Sequence, residues 1–227
     1  MEWNNDEELF KIIRNELYTA VIGDVMDKNG FLNQFLSPQI HALRNDMFIV
    51  GRAMTVLSTD ILDGAVNQNE VLAKPFGLML EALDDLKKDE VYVCSGASPR
   101  YALWGELMST RAIKLGAAGA VVNGYSRDTN GILEMGFPTF SLGRYAQDQA
   151  PRGKVIDFRV PIEMCGVRIN SGDIIIADID GVCVVPRSAE KGIFSLALEK
   201  ARGEKVVQGE IQEGMSATDA FRKYGIL

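Results

Sequence analysis

Near the start of the chain, apolar residues recur at helical spacing: Leu9, Phe10, Ile12, Ile13 and Leu17 follow Asn4, Asn5 and Asp6. Asparagine and aspartate ahead of a periodic stretch are good caps, so the pattern predicts a first helix. Val21, Ile22, Val25 and Met26 predict a second, capped by Thr19 and stopped at Asn29-Gly30, a pair suited to a left-handed C-terminal turn. Residues 1–30 are expected to be N-terminal helices.

From Met47 to Thr59 the chain reads as extended, interrupted at Gly51-Arg52, and a helix is expected from Gly64 to Leu83. The middle alternates: strand Glu90 to Cys94, loop Ser95 to Tyr101, helix Ala102 to Leu115, strand Ala118 to Asn123, loop Gly124 to Asp128. That is a βαβ rhythm. Lys154 to Pro186 holds short strands separated by Gly166, Asn170 to Asp173 and Asp180-Gly181, which predicts hairpins or a partly closed sheet. Ala189 to Val207 and Ala217 to Tyr224 are helical patterns, making residues 187–227 a C-terminal helical extension. No low-complexity linker or internal repeat intervenes, so residues 1–227 are expected to form one α/β domain.

Composition supports a packed core, with 47% hydrophobic and 24% charged residues in 227. The longest apolar runs, such as Ile174-Ile175-Ile176-Ala177, fall far short of the roughly 20 residues a membrane span needs. The opening Met-Glu-Trp-Asn-Asn-Asp-Glu-Glu lacks the features of a secretory signal, so a cytoplasmic protein without membrane association is expected. Cys94, Cys165 and Cys183 show no paired spacing and are expected to be buried, reduced thiols. A formal charge of −7 disfavours nucleic acid as a partner. An anionic substrate would therefore need a local cation, a metal or a helix N-terminus to attract it.

Candidate chemistry follows that requirement. Tyr101-Ala-Leu-Trp-Gly-Glu-Leu-Met follows an apolar strand and opens a helix, where free backbone N–H groups bind carboxylates well. Gly105 permits close approach, and Glu106 adds a carboxylate. One strand later comes Gly124-Tyr-Ser-Arg127-Asp128. If the strands are parallel, both loops leave the same sheet edge and face one pocket. With one histidine, His41, a His-rich zinc site is excluded, and His41 is expected to be structural or exposed. Glycine-rich nucleotide fingerprints are absent. Carboxylates, arginines and amides suit a hard cation such as Mg²⁺ or Mn²⁺, with Asp128 the best single ligand.

Three segments carry a resemblance: Trp104-Gly-Glu-Leu-Met, then Gly116-Ala-Ala-Gly-Ala-Val-Val-Asn-Gly-Tyr-Ser-Arg-Asp, then Phe137-Pro-Thr-Phe. In that order they resemble the RraA-like family, which includes the 4-hydroxy-4-methyl-2-oxoglutarate aldolases. The resemblance runs from about Thr19 to Pro186 and continues into the C-terminal helices. It implies a swivelling ββα domain with N- and C-terminal helical extensions, assembled as a homotrimer or homohexamer. It also implies that Gly105, Glu106, Leu107 and Met108 supply amides for a substrate carboxylate, Arg127 contacts the 2-oxo group, and Asp128 holds the divalent metal. Glu106 fits an outer, water-mediated catalytic role. Glu204, reaching from a neighbouring subunit, would complete the metal's water shell, with Glu199 and Glu210 near the same place.

The activity so implied is that of a metal-dependent class II aldolase or oxo-acid decarboxylase, a lyase acting on small 2-oxo acids. Retro-aldol cleavage and oxaloacetate decarboxylation would share a metal-bound pyruvate enolate. The same family contains a non-catalytic regulator that binds the RNA-degrading endonuclease E, and the helices beyond Thr19 to Pro186 favour the enzyme over it. A Schiff-base aldolase would need Lys74, Lys114 or Lys154, none of which lies in an apolar setting. Tyr101, Tyr125 and Ser126 are positions where specificity could change.

Overall fold

A computed structural model describes residues 3–62 and 69–226. The chain divides into two units, one formed by residues 33–187 and the other by the chain ends, up to Leu32 and from Ser188.

The end unit begins with α1 (Asp6–Glu16), whose cap is Asn5, accepting from Glu8 N at 2.9 Å. Asp6, Glu7 and Glu8 in the first turn complement the helix dipole. In α2 (Thr19–Lys28) the cap position falls to Tyr18, one residue before the expected Thr19, which is instead buried within the first turn. The helix stops at Asn29, and Gly30 follows at φ +84°.

The α/β unit opens with β1 (His41–Ala42) and β2 (Ile49–Asp60). Gly51-Arg52 does not interrupt β2, because the glycine is there for space: a Cβ on it would stand 2.4 Å from Asp89 O. The start of the helix expected at Gly64 lies outside the described residues. Its remainder is two short helices, α3 (Glu70–Ala73) and α4 (Met79–Asp84), separated at Pro75 and Gly77. Then come β3 (Glu90–Ser95), β4 (Ala102–Trp104), α5 (Glu106–Leu115), β5 (Gly119–Val122), β6 (Tyr125–Ser126), α6 (Thr129–Met135) and β7 (Thr139–Ser141). The expected helix start at Ala102 is thus a strand, and α5 begins at Glu106. The final strands are β8 (Gly153–Phe158), β9 (Ile162–Met164), β10 (Val167–Ile169), β11 (Ile174–Asp178) and β12 (Gly181–Val185).

The main sheet runs β1-β7-β5-β3-β2-β11-β12. Strands β2, β3, β5 and β7 are mutually parallel, so their residues are buried on both faces and the sequence there is continuously apolar. The other edge of β2 is shared, by β11 along its start and by β8 from Val56 to Asp60, with an irregularity at Leu57/Ser58. The end strands β1 and β12 approach each other, so the sheet is nearly closed. The β9–β10 hairpin turns at Cys165-Gly166, both at positive φ, the geometry of a tight primed turn. Cys165 is therefore exposed, contrary to expectation, whereas Cys94 and Cys183 are buried, and none of the three forms a disulfide.

The end unit closes with α7 (Glu190–Gln212), five residues longer at its end than expected, and α8 (Ala217–Tyr224). Among the described residues no helix is long and apolar enough to cross a membrane.

Candidate functional site

The parallel pair β4 and β6 sets Ala102 opposite Tyr125 and Trp104 opposite Ser126. Arg127 N extends this ladder, donating to Trp104 O at 3.0 Å. The two candidate loops are thus joined backbone to backbone. Trp104 anchors them: it is 1% exposed and stacks on Phe137 at 5.8 Å between ring centroids. Its Nε1 donates to Ser109 Oγ at 2.7 Å, and that hydroxyl donates to Gly105 O at 3.1 Å. The start of α5 is fixed to the core, and the N–H groups of its first turn have no partner within the helix.

At the cap of α5 stands Gly105, where a Cβ would lie 3.0 Å from Asp128 Oδ2 and 3.5 Å from Arg127 Cγ. The missing side chain lets Arg127 and Asp128 approach the helix start. Asp128 opens α6 at φ +54°, a left-handed conformation that aspartate tolerates better than most residues. Arg127 lies between two carboxylates, with Nε 3.6 Å from Asp128 Oδ2 and Nη1 3.2 Å from Asp148 Oδ1. These side chains are half-exposed, so the pairs add little stability; their effect is to hold the guanidinium in one orientation.

Together these groups border a cleft of about 420 Å³. Gly105, Leu107, Met108, Arg127 and Asp128 all line it, and α4 with the residues before it supplies an apolar wall that includes Phe76, Met79 and Leu83. The side chain of Leu107 is 83% exposed at the rim. Glu106 stands apart from the cleft lining: its carboxyl group lies where a Cβ on Gly131 would be, 2.3 Å from Cδ, over the first turn of α6. Tyr101, Tyr125 and Ser126 do not line the cleft either. Tyr101 is buried, donates to Asp60 Oδ1 at 2.7 Å, and has its phenol raised well above the ordinary range by burial and by that bond. Tyr125 packs edge-on against Tyr145.

Glu204 belongs to the end unit, where it accepts from Tyr18 Oη and Lys200 Nζ. Lys200 also reaches Asp24 at 2.8 Å. Burial, and then the bond to Glu204, push the Tyr18 phenol up to about 12. His41 is exposed, its Nδ1 2.9 Å from Gln39 O. None of Lys74, Lys114 and Lys154 lines the cleft, and Lys74 and Lys154 are engaged by Glu81 and by Leu72 O.

Among the cleft residues that the sequence did not single out are Asp148 and Gln149. Their segment is drawn alongside β4 and β6 by Ala102 N donating to Gln147 O at 2.8 Å and Ser126 N donating to Gly143 O at 2.9 Å. The only local signal, a polar Gln147-Asp148-Gln149 ahead of Ala150-Pro151, is common in loops.

Among the described residues no three histidine, cysteine or carboxylate side chains gather into a metal cage. A magnesium-type ion does not require one, since it binds through one or two carboxylates and keeps several waters. Asp128 Oδ2 in front of the bare face of Gly105 fits that pattern.

The α/β fold with a nearly closed sheet and a cleft between two strand-end loops defines the class of protein. Residues 19–184 match the family model RraA-like, described as Aldolase/RraA, and the chain belongs to that family. A Halalkalibacterium halodurans protein provisionally named a 4-hydroxy-4-methyl-2-oxoglutarate aldolase is 30% identical over 205 residues, covering 89% of each chain. Protein DlpA of Legionella pneumophila is 27% identical over 91% of this chain, which spans 32% of DlpA's length. The crystal structure of Streptomyces coelicolor RraAS2, described as an unusual member of the RNase ES inhibitor RraA protein family, shares the fold. Its TM-score is 0.75 at 23% identity, over 92% of this chain and 98% of that one.

Proposed function

We propose that this chain is a divalent-metal-dependent carbon–carbon lyase acting on 2-oxo acids. The observation that carries the reading is the approach at Gly105, where Asp128 Oδ2 lies 3.0 Å from the position a Cβ would take. It sets a carboxylate, a guanidinium and the free amides of a helix start around one small volume. Relatives named for aldolase activity support the same chemistry.

The amides of Glu106, Leu107 and Met108 bind the substrate carboxylate, helped by the dipole of α5. Arg127, steadied by Asp128 and Asp148, directs its donors at the 2-oxo oxygen, where negative charge grows as the bond breaks. Asp128 would hold the cation, Mg²⁺ or Mn²⁺, which supplies further charge stabilisation when bound. In retro-aldol cleavage the C3–C4 bond breaks and its electron pair moves into an enolate. The C4 hydroxyl loses its proton, and C3 then takes one to give pyruvate. Glu106 acts from outside the cleft, through water, on that proton. Glu204 of a neighbouring subunit, in a homotrimer or homohexamer, remains part of the proposal as a contributor to the water shell.

The test is pyruvate release from oxaloacetate and from 4-hydroxy-4-methyl-2-oxoglutarate, with Mg²⁺, with EDTA, and with Asp128→Asn. Loss of activity in both controls is expected. Turnover that survives them would remove the metal from the reading, and no turnover of either compound would move the assignment to another oxo acid or to a binding role.

A further inference from the structure

Resting on the lyase reading of this site, we infer its substrate class: a 2-oxo acid with a single carboxylate, an apolar far end, and a neutral oxygen that accepts from Gln149.

The first ground is an unsatisfied donor. Gln149 lines the cleft and is 4% exposed, yet its Nε2 has no hydrogen-bond partner among the described residues. Buried amide donors in native proteins are nearly always paired, so this one calls for an acceptor that the described residues do not supply, and a turn of the side chain toward the cleft would present it to a ligand. Gln149 follows Asp148, which touches Arg127, so the acceptor sits close to the reacting carbons. The C4 oxygen of a 4-hydroxy-2-oxo acid meets that description, as hydroxyl before cleavage and as carbonyl after it.

The second ground is charge. Three carboxylates line the cleft, Asp84, Asp128 and Asp148, against two cations, Arg111 and Arg127. Arg111 is already paired with Asp84 at 2.7 Å, and Arg127 is flanked by the other two. The first carboxylate of a substrate is met by the α5 amides. A second would find no unengaged cation and would lose part of its water against Phe76, Met79 and Leu83. An alkyl tail is favoured in the same place. Cleavage of such a substrate breaks C3–C4 and releases pyruvate and an aldehyde, with the hydroxyl proton given to solvent and one proton taken up at C3.

The experiment compares kcat/KM for pyruvate release from 4-hydroxy-2-oxohexanoate and from 4-hydroxy-4-methyl-2-oxoglutarate, with Mg²⁺ and the full chain. The monocarboxylate is expected to be preferred by at least about tenfold. Met79→Arg, which places a cation on the apolar wall, should shift that ratio toward the dicarboxylate by roughly tenfold or more. Gln149→Leu should lower turnover of 4-hydroxy-2-oxohexanoate relative to that of oxaloacetate, which has no C4 hydroxyl. Preference of the unaltered protein for the dicarboxylate overturns the inference and leaves the lyase reading standing. Equal losses on both substrates in Gln149→Leu also overturn it. No turnover of any of these acids overturns both readings.

Discussion

Asp148 Oδ1 stands 3.2 Å from Arg127 Nη1 while Asp128 Oδ2 stands 3.6 Å from Nε, so the arginine of the cleft is held at two different nitrogens by aspartates from different loops. With both side chains half-exposed, the pair contributes on the order of 1 kcal/mol or less to stability. Asp148→Asn is therefore expected to leave the thermal midpoint nearly unchanged while reducing kcat by about tenfold through loss of aim. Parallel melting curves and steady-state rates separate the two effects; a large stability loss with unchanged kcat would contradict the clamp.

Gly105→Ala places a methyl group 3.0 Å from Asp128 Oδ2 at a backbone conformation any residue adopts, φ −156°. Folding should survive and activity should fall by roughly 10² or more, because misplacement by an ångström is costly at a reacting centre. Circular dichroism together with kcat/KM decides it. A fully active Gly105→Ala would mean that the helix start does not meet the substrate.

Asp60 gives a pH-dependent prediction. Burial opposes its charge, but hydrogen bonds from Ser98, Tyr101 and Arg100 outweigh this and hold its carboxyl below the usual value. The folded pKa is lower than the unfolded one, so the unfolded chain binds more protons in between, and stability rises with pH across that window. The contribution is complete above the ordinary aspartate range and is lost as pH falls through the lowered value. Asp60→Asn should melt below the wild type at neutral pH, and the gap should close in acid. A gap that stays constant with pH would show that the carboxylate charge is not responsible.

The thiols should separate by reactivity. Burial pushes Cys94 up to about 12, a hydrogen bond with Ser58 only partly offsetting it, whereas Cys165 lies exposed on the β9–β10 turn. Native alkylation followed by mass spectrometry should modify Cys165 first, and Cys165→Ser should remove the fast phase. Rapid labelling of Cys94 in the folded protein would contradict the burial.

What the sequence revealed and what it concealed divide along the range of the interactions. Parallel strands β3 and β5, the N-terminal cap of α1 and the polar loop ending at Asp128 were legible because short-range periodicity and turn chemistry specify them. The segment Ala102 to Trp104 was misread as helix because its partner, Tyr125-Ser126, lies some twenty residues away. Helix α6 was missed because its few residues follow a left-handed Asp128, which no periodicity announces. Arg127 and Asp128 were legible from their place in the polar loop after an apolar strand, and the resemblance added their roles, whereas Asp148 and Gln149 reach the cleft only through hydrogen bonds made by Ala102 and Ser126.

Because the end unit takes its helices from both sides of the α/β unit in sequence, Tyr18 meets Glu204, 186 positions further along the chain. On a ribosome, α1 and α2 emerge before the α/β unit and stay without α7 until that whole unit has been made. Their apolar faces are exposed for that interval, at synthesis rates of roughly 5–20 residues per second. Closure of so long a loop is slow, and the sheet of the α/β unit can form before it. Nascent copies of this protein are therefore expected to pass through a stage in which the centre is folded and α1 and α2 still lack α7, the interval in which a chaperone has most to gain by binding.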